Sequence, residues 1–144
     1  MQRVKFIAQE IARLMPKLLR GNRIAFIAAP QVTTSQIVTL IRIYEKVSTR
    51  VGILSKEMCV SAPTITGVID RLVRSGYLMR THDREDRRVV NVELTSKGKG
   101  LVKYILSEVN KMWRRRLIHL STEERESFLR ILKRIVEVLD KENV

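Results

Sequence analysis

The apolar residues of the first twenty positions recur at helical spacing. From Val4 onward they fall at positions 4, 7, 11, 14, 15, 18 and 19. Steps of three and four residues bring these positions to one side of a helix, so the pattern predicts an amphipathic N-terminal helix. Pro16 interrupts it. Because proline lacks an N–H and its ring clashes with the preceding turn, we expect a kink or a restart there.

Two further helices are predicted between residues 33 and 58. Thr33 and Gln36 have the spacing of a capping box, which opens a helix carrying Ile37, Leu40, Ile41 and Tyr44. Ser48 or Thr49 would cap the next, shorter helix, whose apolar residues are Val51, Ile53, Leu54 and Met58.

The segment 54–94 predicts a helix-turn-helix followed by a β-hairpin. Cys59-Val60 forms the turn, and residues 61–75 form a second helix, which Ser61 caps and Gly76 ends. Apolar and polar residues then alternate, which predicts strands over 78–81 and 89–94 around a charged tip. Such a unit fills a major groove with its second helix and reaches the next minor groove with its hairpin.

Two long amphipathic helices are predicted after the hairpin. Thr95 would cap the first, and a capping box of Ser121 and Glu124 would open the second. The apolar faces of these helices and of the N-terminal helix exceed what the small central unit can cover. We therefore expect a second subunit to cover them and predict a homodimer. Packing of these faces within one chain is the alternative.

The net charge of the chain indicates the class of partner that it binds. The chain has 144 residues, enough for one domain, and its 28 Lys and Arg outnumber 15 Asp and Glu to give a net charge of +13. Polyanions are the natural partners of such a chain, and double-stranded DNA fits the predicted unit. Aromatic residues make up only 5% of the chain, which argues against a platform that stacks single-stranded bases.

The sequence predicts neither a membrane segment nor a disulfide. Its apolar runs fall short of the roughly 18 residues that span a bilayer, and no signal peptide is evident at the start. A single cysteine, Cys59, suits a reducing compartment. We therefore expect a cytoplasmic protein with no membrane partner.

The outer face of the helix over 61–75 supplies the first set of candidate DNA contacts. The inner face is apolar: Ile65, Val68, Ile69, Leu72 and Val73. Outside it lie Asp70 and the candidates, which are Ser61, Pro63, Thr64, Thr66, Gly67, Arg71 and Arg74. The threonines suit thymine methyls or base acceptors, and Arg71 suits guanine or a phosphate. A solvated outer face without a function is the alternative.

The charged tip of the hairpin supplies the second set. It contains Arg84, Arg87 and Arg88 among three acidic residues. Asp86 and Arg88 are close enough to pair and shape the loop, which would leave Arg84 or Arg87 to project into a narrow minor groove. A charged loop that only keeps the surface soluble is the alternative.

These segments resemble the winged helix-turn-helix of the MarR family of bacterial and archaeal regulators. The resemblance rests on LSKEMCVSAPTIT at 54–66, DRL at 70–72 and GYL at 76–78, and its most discriminating part is DREDRRV at 83–89 followed by LTSKG at 94–98. The order of the other predicted elements also agrees, so the resemblance extends over nearly the whole chain. Cys59 departs from the family pattern, because it stands where a glycine or another small turn residue is usual, and implies a modest cost for a positive φ.

The resemblance implies a homodimer joined by its N- and C-terminal helices, with one recognition helix in each of two major grooves. It further implies that Asp86 and Arg88 are the paired residues of the wing, with the arginine at or near the minor groove. The implied function is that of a repressor-like regulator. A small aromatic or anionic effector, bound between the dimer helices and the DNA-binding lobe, would lower its affinity for DNA.

Other chemistry finds little support in the sequence. His82 and His119 have no neighbouring carboxylates at the spacing of a metal site, and Gly98-Lys99-Gly100 lacks the remainder of a phosphate loop. No nucleophile is paired with a base, so we expect neither catalysis nor a cofactor. Cys59 could be a redox sensor, although a small, partly buried turn residue explains its position better.

The sequence thus predicts a mainly α (α+β) fold: a winged helix-turn-helix with a two-stranded wing, in one domain over 1–144. Residues 1–32 and 96–144 would form the dimerisation helices and 33–95 the DNA-binding lobe. The predicted function is sequence-specific regulation of transcription by a homodimer on a pseudo-palindromic operator. A nonspecific architectural DNA-binding protein and a winged-helix protein-interaction module are the alternatives.

Overall fold

Six helices and three strands make up the described part of the chain. The computed structural model describes residues 1–20, 29–83, 86 and 89–142, without the side chains of residues 19 and 20. In chain order the elements are α1 (Gln2–Arg20), α2 (Thr34–Lys46), β1 (Ser48–Arg50), α3 (Val51–Glu57), α4 (Ala62–Arg74), β2 (Leu78–His82), β3 (Val90–Leu94), α5 (Ser96–Leu117) and α6 (Thr122–Glu142). The predicted mainly α fold is confirmed, with α3 and α4 as the helix-turn-helix and β2 and β3 as the wing.

Side-chain caps begin the helices where the sequence predicts them. The Thr33 amide donates to Gln36 Oε1 at 2.7 Å, and the Gln36 amide donates to Thr33 Oγ1 at 3.4 Å. Ser121 and Glu124 form the same reciprocal pair at the start of α6, at 2.7 and 3.2 Å. These hydrogen bonds confirm both capping boxes. Each box satisfies amides that the first helical turn leaves without a backbone acceptor.

The first helix passes through Pro16. It runs without a break over Gln2–Arg20 with the proline inside it, so the predicted restart is wrong. Proline removes one N–H from the helical ladder, while the hydrogen bonds on either side of it can still form. Residues 17–20 therefore extend the same helix by about one turn.

Residues 48–50 form a strand, which corrects the prediction that Ser48 or Thr49 caps a helix. β1 pairs antiparallel with β3, with Ser48 opposite Glu93 and Arg50 opposite Asn91, and the sheet order is β1-β3-β2. The wing hairpin is therefore part of a three-stranded sheet rather than an independent pair. Arg50 precedes α3 and makes no side-chain cap hydrogen bond. Strand pairing is favoured over a helix cap here because, without β1, the outer edge of β3 would expose a row of unpaired backbone groups.

The core of the lobe lies between α2, α4, the start of α5 and the sheet. Its fully buried side chains include Leu40, Ile43, Leu54, Ile65, Ile69, Leu72, Leu78, Val92, Val102 and Ile105. The inner face predicted for α4 is confirmed, with Val73 only partly buried at its edge. This packing holds α4 against the lobe and leaves its opposite face in solvent.

The two terminal helices contrast with this packed lobe. No residue of α6 is buried. The large apolar side chains exposed on α1 and α6 are Val4, Phe6, Ile7, Ile11, Leu14, Met15, Leu18, Phe128, Leu129, Ile131, Leu132, Ile135, Val136, Val138 and Leu139. Despite this apolar surface, none of the helices described here has the length and apolarity needed to cross a bilayer.

Candidate nucleic-acid interface

The turn of the helix-turn-helix is a helix-ending motif with a cysteine in the left-handed position. Cys59 has a φ of 52°. Its amide donates to Lys56 O at 3.1 Å, and the Val60 amide donates to Ser55 O at 3.1 Å. This pair of bonds is the Schellman motif, in which the left-handed residue is usually glycine. The predicted turn and its positive φ are confirmed, but the side chain is exposed rather than partly buried.

The first turn of α4 organises its own hydroxyl groups. Ser61 Oγ accepts from the Thr64 amide at 3.3 Å and lies 2.7 Å from Thr64 Oγ1, and Pro63 sits in the first turn as predicted. The Thr66 hydroxyl donates to Ala62 O at 2.7 Å. Because this bond uses its only proton, the Thr66 hydroxyl can take part in a further hydrogen bond only as an acceptor.

The middle and end of α4 carry the arginines. Arg71 and Arg74 are exposed, and neither forms an ion pair with another residue in the described ranges. A side chain at Gly67 would approach Arg71 Nη2 at 3.8 Å, so this guanidinium lies along the outer face of the helix. Asp70 is held differently, because it pairs with Arg80 of β2. The one acid on this face is therefore compensated by the wing, which leaves two cations available to a polyanion.

The tip of the wing falls largely outside the described residues. Arg84, Arg87 and Arg88 lie there, so the predicted pair of Asp86 with Arg88 is not tested. Within the described part, Asp83 organises the turn: its Oδ1 accepts from the Asp86 amide at 3.4 Å and its Oδ2 accepts from Asn91 Nδ2 at 3.5 Å. The Val89 amide donates to Asp86 O at 2.9 Å and closes the loop.

A tight junction joins the end of α4 to the start of α5. Thr95 Oγ1 donates to Gly76 O at 2.6 Å, and Lys97 Nζ donates to Ser75 O at 2.8 Å. Lys97 Nζ also lies 4.4 Å from the centre of the Tyr77 ring. A Cβ at Gly98 would lie 2.1 Å from Tyr77 O, so α5 approaches the backbone of Tyr77, just before β2, closely only because residue 98 is glycine. The recognition helix is thereby tied to the long helix that leaves the lobe.

Sequence reasoning missed the residues that act between elements. These are Arg80 and Asp83 in the wing and Lys97 and Gly98 in the junction. The cap predicted at Thr95 is confirmed, since its Oγ1 accepts from the Gly98 amide at 3.1 Å. Only the glycine gave a signal, because a glycine within a predicted first helical turn suggests a close approach of backbone.

Comparison with known proteins assigns this lobe to a family. Residues 32–90 match the model of the MarR family, a segment that begins before α2 and ends at the first residue of β3. The matched segment is a MarR-family domain. The resemblance drawn from the helix-turn-helix and wing segments is confirmed.

Relatives and solved structures place the MarR-family domain in context. The transcriptional repressor YetL of Bacillus subtilis is 34% identical over 90 residues, which cover 60% of this chain and 52% of YetL. The chain thus matches about half the length of that relative. A MarR family protein from Bacillus stearothermophilus has a TM-score of 0.83 at 26% identity, covering 96% of this chain and 97% of the other. FabT of Streptococcus pneumoniae, solved in complex with DNA, has a TM-score of 0.78 at 22% identity over 93% of this chain and 98% of its own, and shares the fold.

Proposed function

We propose that this chain is a sequence-specific, DNA-binding regulator of transcription, which acts as a homodimer on a pseudo-palindromic operator. The observation that carries the proposal is the outer face of α4 in a MarR-family domain: a capped helix with exposed hydroxyl-bearing residues and two exposed arginines without ion-pair partners in the described residues. FabT was solved in complex with DNA, and YetL is named a repressor, which favours DNA as the partner and repression as the outcome.

The proposed contacts divide between α4 and the wing. On α4, the residues proposed to touch bases or phosphates in the major groove are Ser61, Pro63, Thr64, Thr66, Gly67, Arg71 and Arg74. In the wing, the residues proposed to reach the minor groove are Arg84, Arg87 and Arg88, with Asp86 shaping the loop. The ion pair of Asp70 with Arg80 supports this division, because it fixes the wing to the outer edge of the recognition helix.

The homodimer is proposed from the apolar faces of α1 and α6. Ile135 of α6 and Ile11 of α1 are 51% and 50% exposed in the single chain. Full burial of one large aliphatic side chain stabilises by about 1.5–3 kcal/mol, so covering a half-exposed one yields roughly half as much. Repeated along two helices, this gain offsets the cost of association. We propose that 1–32 and 96–144 supply the dimerisation helices and 33–95 the DNA-binding lobe.

We also propose that a small aromatic or anionic effector releases the regulator from DNA. The charge balance of the chain supports an anion, because its cations exceed its acids by 13. The probe is salicylate, a compact aromatic carboxylate. Release is expected as a dose-dependent rise in the Kd for operator, with cyclohexanol as the neutral control. Equal DNA affinity with and without millimolar salicylate would count against this class of effector.

The test of the main proposal is selection from a random duplex library followed by competition. A specific regulator should enrich an inverted repeat whose half-sites lie about one helical turn apart, and should prefer it to random DNA by at least about 10³-fold. Its affinity should fall with salt at a log–log slope of about −0.9 per phosphate contact. Enrichment of no motif with tight binding would favour the architectural protein, and no binding at low salt would favour the protein-interaction module.

A further inference from the structure

The basic excess of the chain is concentrated outside the DNA-binding lobe. Residues 33–95 contain ten Lys and Arg against seven Asp and Glu, a net charge of +3. Residues 96–120 contain seven Lys and Arg against one acid, Glu108, a net charge of +6 in less than half the length. Recognition by α4 and the wing therefore does not account for most of the charge.

Three of these cations lie together near the end of α5. Lys111, Arg114 and Arg115 line a groove of about 660 Å³ together with Ile118 and His119, and we call it the α5 basic groove. Arg116 is adjacent, and the segment 111–119 contains no Asp or Glu. Positions 111, 114, 115 and 118 follow helical spacing and share one side of α5.

Two of these cations make local contacts within α5: Arg115 Nε donates to Lys111 O at 3.5 Å, and Arg116 Nη1 donates to Met112 Sδ at 3.1 Å. The last carbonyls of α5 already have a donor, because Arg125 of α6 reaches Leu117 O at 2.7 Å and Ile118 O at 3.2 Å. Within the part of the chain that is described, Arg114 makes no ion pair and Lys111 pairs only with the partly buried Glu108 in its own helix. Burying such a cluster in an apolar interface would cost the solvation of several charges, so it belongs on an accessible surface.

The chemistry of the groove points to phosphate groups on a duplex. Arginine presents planar sets of donors that match phosphate oxygens, and two of the three cations lining the groove are arginines. The nearby Trp113 is already engaged, with its ring centre 5.9 Å from that of Phe128 and 5.7 Å from the Arg116 guanidinium. A tryptophan packed in this way is not available to a splayed base, so the groove suits a double-stranded backbone better than a single strand.

The groove is remote from the recognition helix. Along α5, Arg114 lies sixteen residues beyond Gly98, which is about 24 Å at 1.5 Å per residue. Gly98 is the residue that packs against Tyr77 at the end of the recognition unit. We propose that the α5 basic groove is a second binding surface for the phosphate backbone of duplex DNA, separate from the base pairs that α4 reads. This goes beyond operator recognition and does not depend on α4 being sequence-specific.

The experiment compares two triple variants of the full chain with equal charge change. The groove variant is Lys111→Gln, Arg114→Gln and Arg115→Gln. The control variant is Arg130→Gln, Lys133→Gln and Arg134→Gln on the exposed surface of α6. Each is saturated on an immobilised duplex, and capture of a second, labelled random duplex is measured across a salt series, with circular dichroism as the check of folding.

The groove variant should capture the second duplex at least tenfold more weakly than the wild type, while the control variant stays within twofold. The salt slope for the second duplex should become shallower by up to about 2.7, which is 0.9 for each of three lost phosphate contacts. Equal capture by all three proteins, or an equal loss in both variants, overturns the proposal.

Two further arms test whether the groove prefers DNA to an acidic protein and whether it acts independently of α4. If labelled poly-glutamate binds as tightly as DNA of equal charge and is lost in the groove variant alone, the surface serves an acidic protein and the DNA assignment is overturned. Arg71→Ala should weaken the first duplex without changing the relative capture of the second. Failure of the α4 proposal therefore has a different signature from failure of the groove.

Discussion

Cys59 occupies a backbone position that glycine fills at little steric cost. With φ at 52°, its Cβ crowds the backbone, at roughly 1–2 kcal/mol for a left-handed L-residue. Glycine removes this cost but loses about 0.5–1 kcal/mol of conformational entropy on folding. Cys59→Gly should therefore raise the free energy of unfolding by about 0.5–1 kcal/mol, measured by urea denaturation. Cys59→Ala keeps the Cβ and should show no such gain, and a less stable glycine variant would contradict the argument.

Arg71 should contribute to the affinity for operator rather than to stability. Its guanidinium is exposed and forms no ion pair within the described residues, so Arg71→Ala removes no internal contact of that kind. The substitution should cost about 1–3 kcal/mol in binding to the selected operator, as for one base or phosphate contact. Arg42→Ala on α2 is the control, since Arg42 is also exposed and has only a 3.7 Å ion pair with Glu45. Anisotropy titration with both variants at wild-type affinity would remove Arg71 from the interface.

Thr66 offers a finer test of how the recognition helix reads a base. Its hydroxyl donates to Ala62 O, so we predict that its methyl group, rather than the hydroxyl, contacts a thymine. Thr66→Ser should weaken operator binding by about 1 kcal/mol, near the value of one buried methylene, whereas Thr66→Val should stay within twofold or threefold. Titration of the same duplex with both variants decides this. The reverse order would mean that the hydroxyl makes the contact.

At the scale of elements, the junction of α5 with the end of α4 sets how the recognition helix is held. Gly98 and Gly100 form a matched pair in the first turns of α5: a Cβ at 98 would meet Tyr77 O at 2.1 Å, while a Cβ at 100 would meet nothing within 4 Å. Gly98→Ala should lower the free energy of unfolding by about 1–3 kcal/mol through overpacking. Gly100→Ala should raise it by about 1 kcal/mol through helix propensity.

Thermal and urea denaturation of these two variants measures the predicted decrease and the predicted increase in the free energy of unfolding within one helix. DNA binding provides a second comparison. If the junction aims α4, the alanine at 98 also weakens operator binding when the protein is still folded, whereas the alanine at 100 does not. Equal stability of the two variants would show that α5 can shift away from Tyr77 without cost.

At the scale of the whole molecule, the terminal helices should join two subunits. Ile135 is 51% exposed in the single chain, on the apolar face of α6. Ile135→Lys places a charge in the proposed interface, where burial without a partner is costly. The dimer should weaken by at least a hundredfold in Kd by analytical ultracentrifugation, while circular dichroism retains the helical lobe. Asp140→Asn changes the charge by the same amount at an exposed site and should remain dimeric.

Loss of the dimer should also weaken DNA binding. A monomer has one recognition helix, so Ile135→Lys should lose affinity for the inverted repeat while keeping residual binding to a half-site. If the wild type sediments as one subunit at micromolar concentration, the apolar faces have another purpose and the symmetric operator has no basis.

Local signals in the sequence were sufficient for most of the elements. Capping boxes at Thr33 and Ser121 and the cap at Ser61 depend on contacts between residues three apart, so the helix starts follow from neighbouring residues alone. The inner face of α4 follows in the same way from its apolar spacing. The candidate arginines of α4 occupy positions that this spacing places on the opposite, exposed face of the helix.

Contacts between distant segments could not be predicted in this way. Ser48 and Thr49 look like helix caps locally, but β1 forms because β3, more than forty residues later, offers an unpaired edge. The same limit hid the ion pair of Asp70 with Arg80 and the close approach of Gly98 to Tyr77. The restart expected at Pro16 fails for a related reason: one missing hydrogen bond is outweighed by a continuous ladder on both sides.

The sequence by itself determined the order of the helices, the two strands of the wing, the family of the lobe and the face of α4 that meets solvent, because each depends on short-range periodicity and caps. The tertiary structure decided which strands pair, which charges are already compensated and how α5 is fixed to the recognition helix. Those features arise from packing and hydrogen bonds between segments far apart in the chain. Their energies appear only when the segments meet, so no local pattern encodes them.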